Sequence, residues 1–154
     1  MERRDFLKQL AVGSVGFGIG ANALNAAIAG AQRDKRLNVL VWDEQQDIQV
    51  KSGAYKNFLG NVVAEFLAKV DYVKVTSANI NEPEQGLSDD RIAASDVFVW
   101  WGHARHKDVN DSKVETIVAK VKSGKAGFVA LHSSHYSKPF KALMGTNCGF
   151  TKVD

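Results

Sequence analysis

One cysteine, two prolines and four histidines are all that a sequence of 154 residues holds of these types. A lone Cys148 excludes an internal disulfide, so a packed core has to supply the stability. Pro83 and Pro139 stand far apart, which excludes a proline-rich linker. Charge of one sign is also scarce: 20 basic against 17 acidic residues give a formal +3. No basic stripe interleaved with aromatics appears, so the electrostatic footprint of a nucleic-acid binder is missing. After residue 31 no apolar run approaches the roughly 20 residues that a bilayer span needs. An apolar fraction of 45% and a charged fraction of 24% are ordinary for a globular protein, and the length suits one domain.

The first residues read as an address. Arg3-Arg4, followed by Phe6, Leu7 and Lys8, resembles a twin-arginine export signal, with Glu2 in place of the usual Ser or Thr. A Gly- and Ala-rich, weakly apolar stretch runs from Leu10 to about Ile28. Small-x-small cleavage sites follow at Ala21-Asn22-Ala23 and Ala29-Gly30-Ala31. Cleavage after Ala31 is preferred because the polar Gln32-Arg33-Asp34-Lys35 comes next. The expectation is a signal peptide over 1–31, bacterial periplasmic export and no stable membrane insertion afterwards. An uncleaved anchor is the competing reading, and the glycines weaken it. The remaining 32–154 carry 17 basic and 15 acidic residues, close to neutral.

That remainder alternates between strand and helix patterns. Leu37 to Trp42 predicts a first strand, Tyr72 to Ser77 a short one near an edge, Asp96 to Trp101 a third and Phe128 to Leu131 a fourth. Gln45 to Ala54 reads as loop. Phe58, Leu59, Val62, Val63, Phe66, Leu67 and Val70 make one apolar helix face. Ser88 predicts an N-cap with Asp89 and Asp90 in the first turn. Ser112-x-x-Glu115 fits a capping box leading into Val114, Ile117, Val118 and Val121, with Gly124 as the stop. Ser137 and Pro139 open a last helix through Leu143. Alternating units of this length predict an α/β fold with a parallel sheet between helical layers. The fourth strand is apolar on both faces and no fifth follows. The expectation is a C-terminally truncated domain, or a homo-oligomer whose partner covers that edge.

All four histidines fall in two His-x-x-His patterns, His103/His106 and His132/His135, each just after a predicted buried strand. In open parallel sheets, ligand sites form at the carboxyl ends of the strands. The other strand ends offer Asp43 and Glu44, and Glu82 to Gln85 with Glu84 among them. Imidazoles and carboxylates gathered there suit two chemistries. One is a zinc or other divalent cation site using His103, His106 and His132. The other is metal-free proton transfer by His103, His106, His132 and His135 with Glu84. Ordinary hydrogen-bonded histidines are the bland alternative. Trp100 and Trp101 alternate to opposite faces; core packing suits both, and Trp101 is the one that would line a pocket. Arg105 and Lys107 fit an anionic group, Ser133 and Ser134 stand where a tight turn is expected, and Tyr136 and Lys138 would help close the pocket. The Gly-x-Ser-x-Gly pattern of a serine nucleophile is absent.

Several of these segments carry a resemblance. Val-Trp-Asp-Glu (41–44), Glu-Pro-Glu-Gln-Gly-Leu (82–87), Val-Trp-Trp-Gly-His-Ala-Arg-His (99–106), Leu-His-Ser-Ser-His-Tyr-Ser-Lys-Pro-Phe (131–140) and Leu-Met-Gly-Thr-Asn-Cys (143–148) resemble the ThuA-like, or trehalose-utilisation, family. The resemblance implies a three-layer α/β/α sandwich, flavodoxin-like and similar to class I glutamine amidotransferases. It also implies that 32–154 form the N-terminal portion of a longer domain. A role in trehalose or related disaccharide catabolism follows, beside sugar dehydrogenases that make 3-keto intermediates, with a small sugar as ligand. The motif positions carried over are Asp43, Glu44, Glu84, His103, His106, His132 and His135. The amidotransferase nucleophile is a cysteine at the turn after a strand, and this sequence has His132-Ser133 there, so glutamine hydrolysis is not expected. A non-catalytic sugar-binding module and an inactive fragment are the competing expectations.

Overall fold

The structure is a computed structural model and describes residues 36–149; the segment expected to be an export signal, with its expected cleavage site, lies outside them. Four strands form one parallel sheet: β1 (Leu37–Asp43), β2 (Val73–Asn79), β3 (Val97–Trp101) and β4 (Gly127–Leu131), in spatial order β2-β1-β3-β4. Five helices accompany them: α1 (Asp47–Lys51), α2 (Leu59–Leu67), α3 (Asp89–Ala94), α4 (Asp111–Lys122) and α5 (Lys138–Met144). This is the expected α/β sandwich, and its strand order is the flavodoxin-like one. Among the described residues no helix is long and apolar enough to cross a membrane.

Strand alternation sorts the core into two layers. Leu40, Trp42, Phe98 and Trp100 point to one face and pack with Ile92 of α3 and Val114 and Ile117 of α4. Trp42 and Trp100 are register partners and stack at 4.0 Å between ring centroids, an arrangement that adds about 1 kcal/mol to their burial. Val39, Val41 and Val99 point to the other face, against Val63, Ala64 and Leu67 of α2. Lys120 of α4 donates to the carbonyls of Ile92, Ala93 and Ser95 and so completes the C-terminal end of α3.

Local departures from expectation have local causes. The 45–54 stretch contains the single-turn helix α1, too short to carry a periodic apolar pattern. Helix α2 begins at Leu59, and its buried stripe is Gly60, Val63, Ala64 and Leu67, which leaves Phe66 and Val62 toward solvent. Gly60 sets that rotation. A Cβ there would lie 2.5 Å from the Asp43 Cβ, so only glycine lets α2 approach β1 this closely. Helix α4 is capped by Asn110, whose side chain accepts from the Ser112 amide at 2.9 Å; Ser112 itself is already helical. Ser88 and Ser137 cap α3 and α5 as expected.

Register brings the functional ends level. Asp43, Trp101 and Leu131 are lateral neighbours across β1, β3 and β4. Glu44, Gly102 and His132 therefore leave the sheet at one height. β1 connects to β2 on one side while β3 lies on the other, so the crevice between the ends of β1 and β3 is the topological switch point.

Candidate functional site

The rim above β1, β3 and β4 is assembled by three buried side chains. Glu44 is 1% exposed. Its Oε1 accepts from the Ala104 amide at 2.8 Å and its Oε2 from the Arg105 amide at 2.9 Å. A carboxylate from the end of β1 thus fixes the loop that carries His103 and His106. Ser134, fully buried, accepts from the Gly102 amide and donates to the Trp100 carbonyl, both at 2.9 Å. It prolongs the β3–β4 seam past the last ladder bond. Ser133 Oγ lies 3.0 Å from the Gly102 carbonyl and 2.9 Å from His103 Nδ1.

The Ser133 contacts decide the His103 tautomer. A carbonyl only accepts, so the serine hydroxyl donates its one proton to Gly102. It must then accept from His103, which places the imidazole proton on Nδ1. The Nε2 lone pair of the exposed His103 is left as the basic nitrogen. The same logic holds for His135, whose Nδ1 faces the His132 carbonyl at 3.2 Å.

His132 stands at the sharp turn directly after β4, with φ +46°, in the left-handed region that few side chains occupy. Strain of this kind concentrates at functional turns. The residue exposed at this elbow is the histidine, and the two serines lie buried behind it. Tyr136 closes the far side. Its ring centroid lies 4.1 Å from that of His135 and 6.4 Å from that of His106, so it bridges the two histidine loops.

His106 is half-buried, and its Nε2 is shielded from solvent with no hydrogen-bond partner. Burial pushes its pKa below the usual 6.5; Glu44 opposes that, while Lys141, His103 and His135 reinforce it. Folding therefore disfavours the protonated ring. The unfolded chain binds that proton more readily, so stability present above the usual imidazole range is lost as pH falls through it toward the folded value. Urea unfolding between about pH 7 and pH 5 is expected to show this slope, and His106→Gln is expected to flatten it. An unchanged slope in the variant would place the titration elsewhere.

The structure distributes the other expected residues differently. Glu84 is not brought to the histidines. Its carboxylate pairs with Lys113 of α4 at 2.7 Å, although the neighbouring Gln85 reaches Asp108, two residues past His106. The whole 82–87 segment is a brace: Glu82 holds Asn79 and Arg91, and Gln85 binds Trp42, Asp108 and Asn110. Asp43 is 2% exposed and accepts from the Gln45 and Gly60 amides, which caps the start of α2. Burial is the main cause that raises its pKa, against those two amide bonds. Asp43 and Glu44 therefore hold backbone where ligand contact was expected. Trp101, 8% exposed, is core like Trp100. The Arg105 guanidinium is engaged by Asp108 and Asn81, and Lys138 by Asp111 and the Val109 carbonyl.

Among the described residues no group of three or more His, Cys, Asp or Glu side chains is placed to hold one metal ion. The expected His103, His106 and His132 do not form such a group, so the set does not converge on one cation position. The sequence places Ser134 beside Ser133 at the expected turn, but its role as a buried stitch between strands gives no signal of its own. One contributor escaped the sequence reading. Lys141 lies a full helical turn past the last motif histidine, and only the packing of α5 on the His132–Tyr136 turn brings it to the rim.

What the geometry offers is a cluster of imidazoles drawn from two adjacent strand ends, with one nitrogen held ready to take a proton. Compared with protein-family models and with curated proteins, the chain matches none.

Proposed function

We propose that this chain is a ThuA-like domain that performs general acid–base chemistry on a keto-sugar. The observation that carries the reading is the Gly102 carbonyl–Ser133–His103 chain, which leaves His103 Nε2 as a positioned base at the switch point of the sheet. A ketone acidifies the adjacent C–H. His103 Nε2 takes that proton, the C–H electron pair becomes the C=C of an enolate, and negative charge moves onto the former carbonyl oxygen. Return of a proton from a protonated imidazole of the His132/His135 turn to the opposite face of the same carbon re-forms the C–H bond and the C=O and completes an epimerisation; alternatively the C–O bond at the next carbon breaks, and its leaving group departs with that electron pair and takes the same proton. A 3-keto-disaccharide suits this chemistry and agrees with the resemblance of segments 99–106 and 131–140. Export through the twin-arginine route would place the reaction in the bacterial periplasm, after a dehydrogenase that supplies the ketone.

The test is incubation of the purified chain with a 3-keto-disaccharide in deuterated water, followed by mass spectrometry. Deuterium gain at the carbon next to the ketone, or a product, is expected. Saturable binding with neither would assign a sugar-binding module. No binding and no exchange would overturn the reading.

A further inference from the structure

Lys141 is the one lysine of the rim that meets an aromatic ring. It lies on α5, half-buried, with Nζ 5.4 Å from the centroid of the Tyr136 ring. That ring also carries His135 at 4.1 Å and His106 at 6.4 Å. Among the described residues no carboxylate comes within ion-pairing distance of Lys141. The acidic groups nearby are otherwise engaged or turned away. Glu44 is buried against two amides, Asp111 is paired with Lys138, and Glu115 lines the hollow between α4 and α5 without reaching the ammonium. The charge of Lys141 nonetheless reaches His106, whose protonation it opposes together with His103 and His135.

An ammonium on a half-buried lysine, with no carboxylate at ion-pairing distance and facing imidazoles that hold no negative charge, leaves positive potential unsatisfied at this point of the rim. An aromatic face retains such a cation without neutralising it. We infer that Lys141 is the anion-binding residue of the rim and takes a ligand's anionic oxygen, the enolate oxygen in the reaction above. This rests on the reading that the histidines face a reacting ligand, and it adds the residue that receives the charge His103 creates. Stabilising developing oxygen charge with a fixed cation is among the largest contributions a site can make.

Oxalate, a planar dianion that mimics an enediolate, is the probe. Its binding to the full chain is followed by the shifts of the histidine ring protons. Saturable binding is expected in the parent chain. Lys141→Gln is expected to weaken it by about tenfold or more, and Lys141→Arg to restore most of it. Lys107→Gln, which removes an exposed cation from the histidine loop, should leave it within about twofold. No saturable binding, equal binding by Lys141→Gln, or loss in Lys107→Gln instead would overturn the assignment; a folded Lys141→Arg that fails to bind would do so too. The two readings fail separately. Normal keto-sugar exchange without oxalate binding removes Lys141 from the chemistry. Lys141-dependent oxalate binding without exchange keeps the anion site and removes the keto-sugar.

Discussion

His103→Ala is expected to lower exchange or turnover of a 3-keto-disaccharide by about 10²- to 10⁴-fold, the range that a positioned general base contributes. The fold should hardly notice. His103 is exposed, and its side chain hydrogen-bonds Ser133, whose hydroxyl keeps the Gly102 carbonyl after the imidazole is gone. Stability should therefore change by less than about 1 kcal/mol, which separates loss of chemistry from loss of structure. His103→Gln is a useful second variant. It keeps a polar group against Ser133 but offers no ring-nitrogen lone pair to take a proton, so it should be as inactive as alanine. Parent-level exchange in both variants would remove His103 as the base.

Glu44→Gln is expected to act in the opposite order, on structure first. The carboxylate receives two backbone amides with separate oxygens at 2.8 and 2.9 Å and is shut off from water. Glutamine keeps one acceptor and turns an NH₂ toward the other amide, donor against donor. The cost is about 2–4 kcal/mol, one charge-assisted bond plus one stranded amide. Chemical denaturation should show a lower midpoint with little change in slope. Hydrogen exchange at Ala104 and Arg105 should accelerate more than at β1 and β3 positions of the sheet, because the variant frees the loop locally. Unchanged protection at those two amides would mean that Glu44 does not anchor the histidine loop.

The contrast between Glu44 and Glu84 shows where sequence reading stops. The strands were legible because β-branched and aromatic runs such as 37–42 and 97–101 have few other uses. The strand-helix alternation then dictated a parallel sheet, and the two His-x-x-His segments fell at strand ends as expected. Which strand ends become neighbours depends on strand order, and that order is not written in any one segment. β2 went to the outer edge, and the 82–87 segment that follows it crosses back to brace residues 108–110, with Glu84 held by Lys113 of α4. Asp43 and Glu44 were found at a productive height, but both turned inward, since unpaired amides at 60, 104 and 105 needed acceptors. The Ser112 cap failed for a related reason: Asn110, two residues earlier, reaches the same helix start. Ser133 was readable as a candidate and not as a partner, because its role depends on a carbonyl 31 residues away.

The proposed chemistry turns on one proton. Long-range ¹H–¹⁵N correlation of the His103 ring, at a pH where it is neutral, reads which nitrogen carries it. The expected spectrum has Nδ1 protonated and Nε2 bare in the parent chain, shifting toward the Nε2-protonated form in Ser133→Ala. A parent spectrum with Nε2 protonated and Nδ1 bare would contradict the Gly102–Ser133–His103 relay, and with it the base on which the proposed chemistry depends.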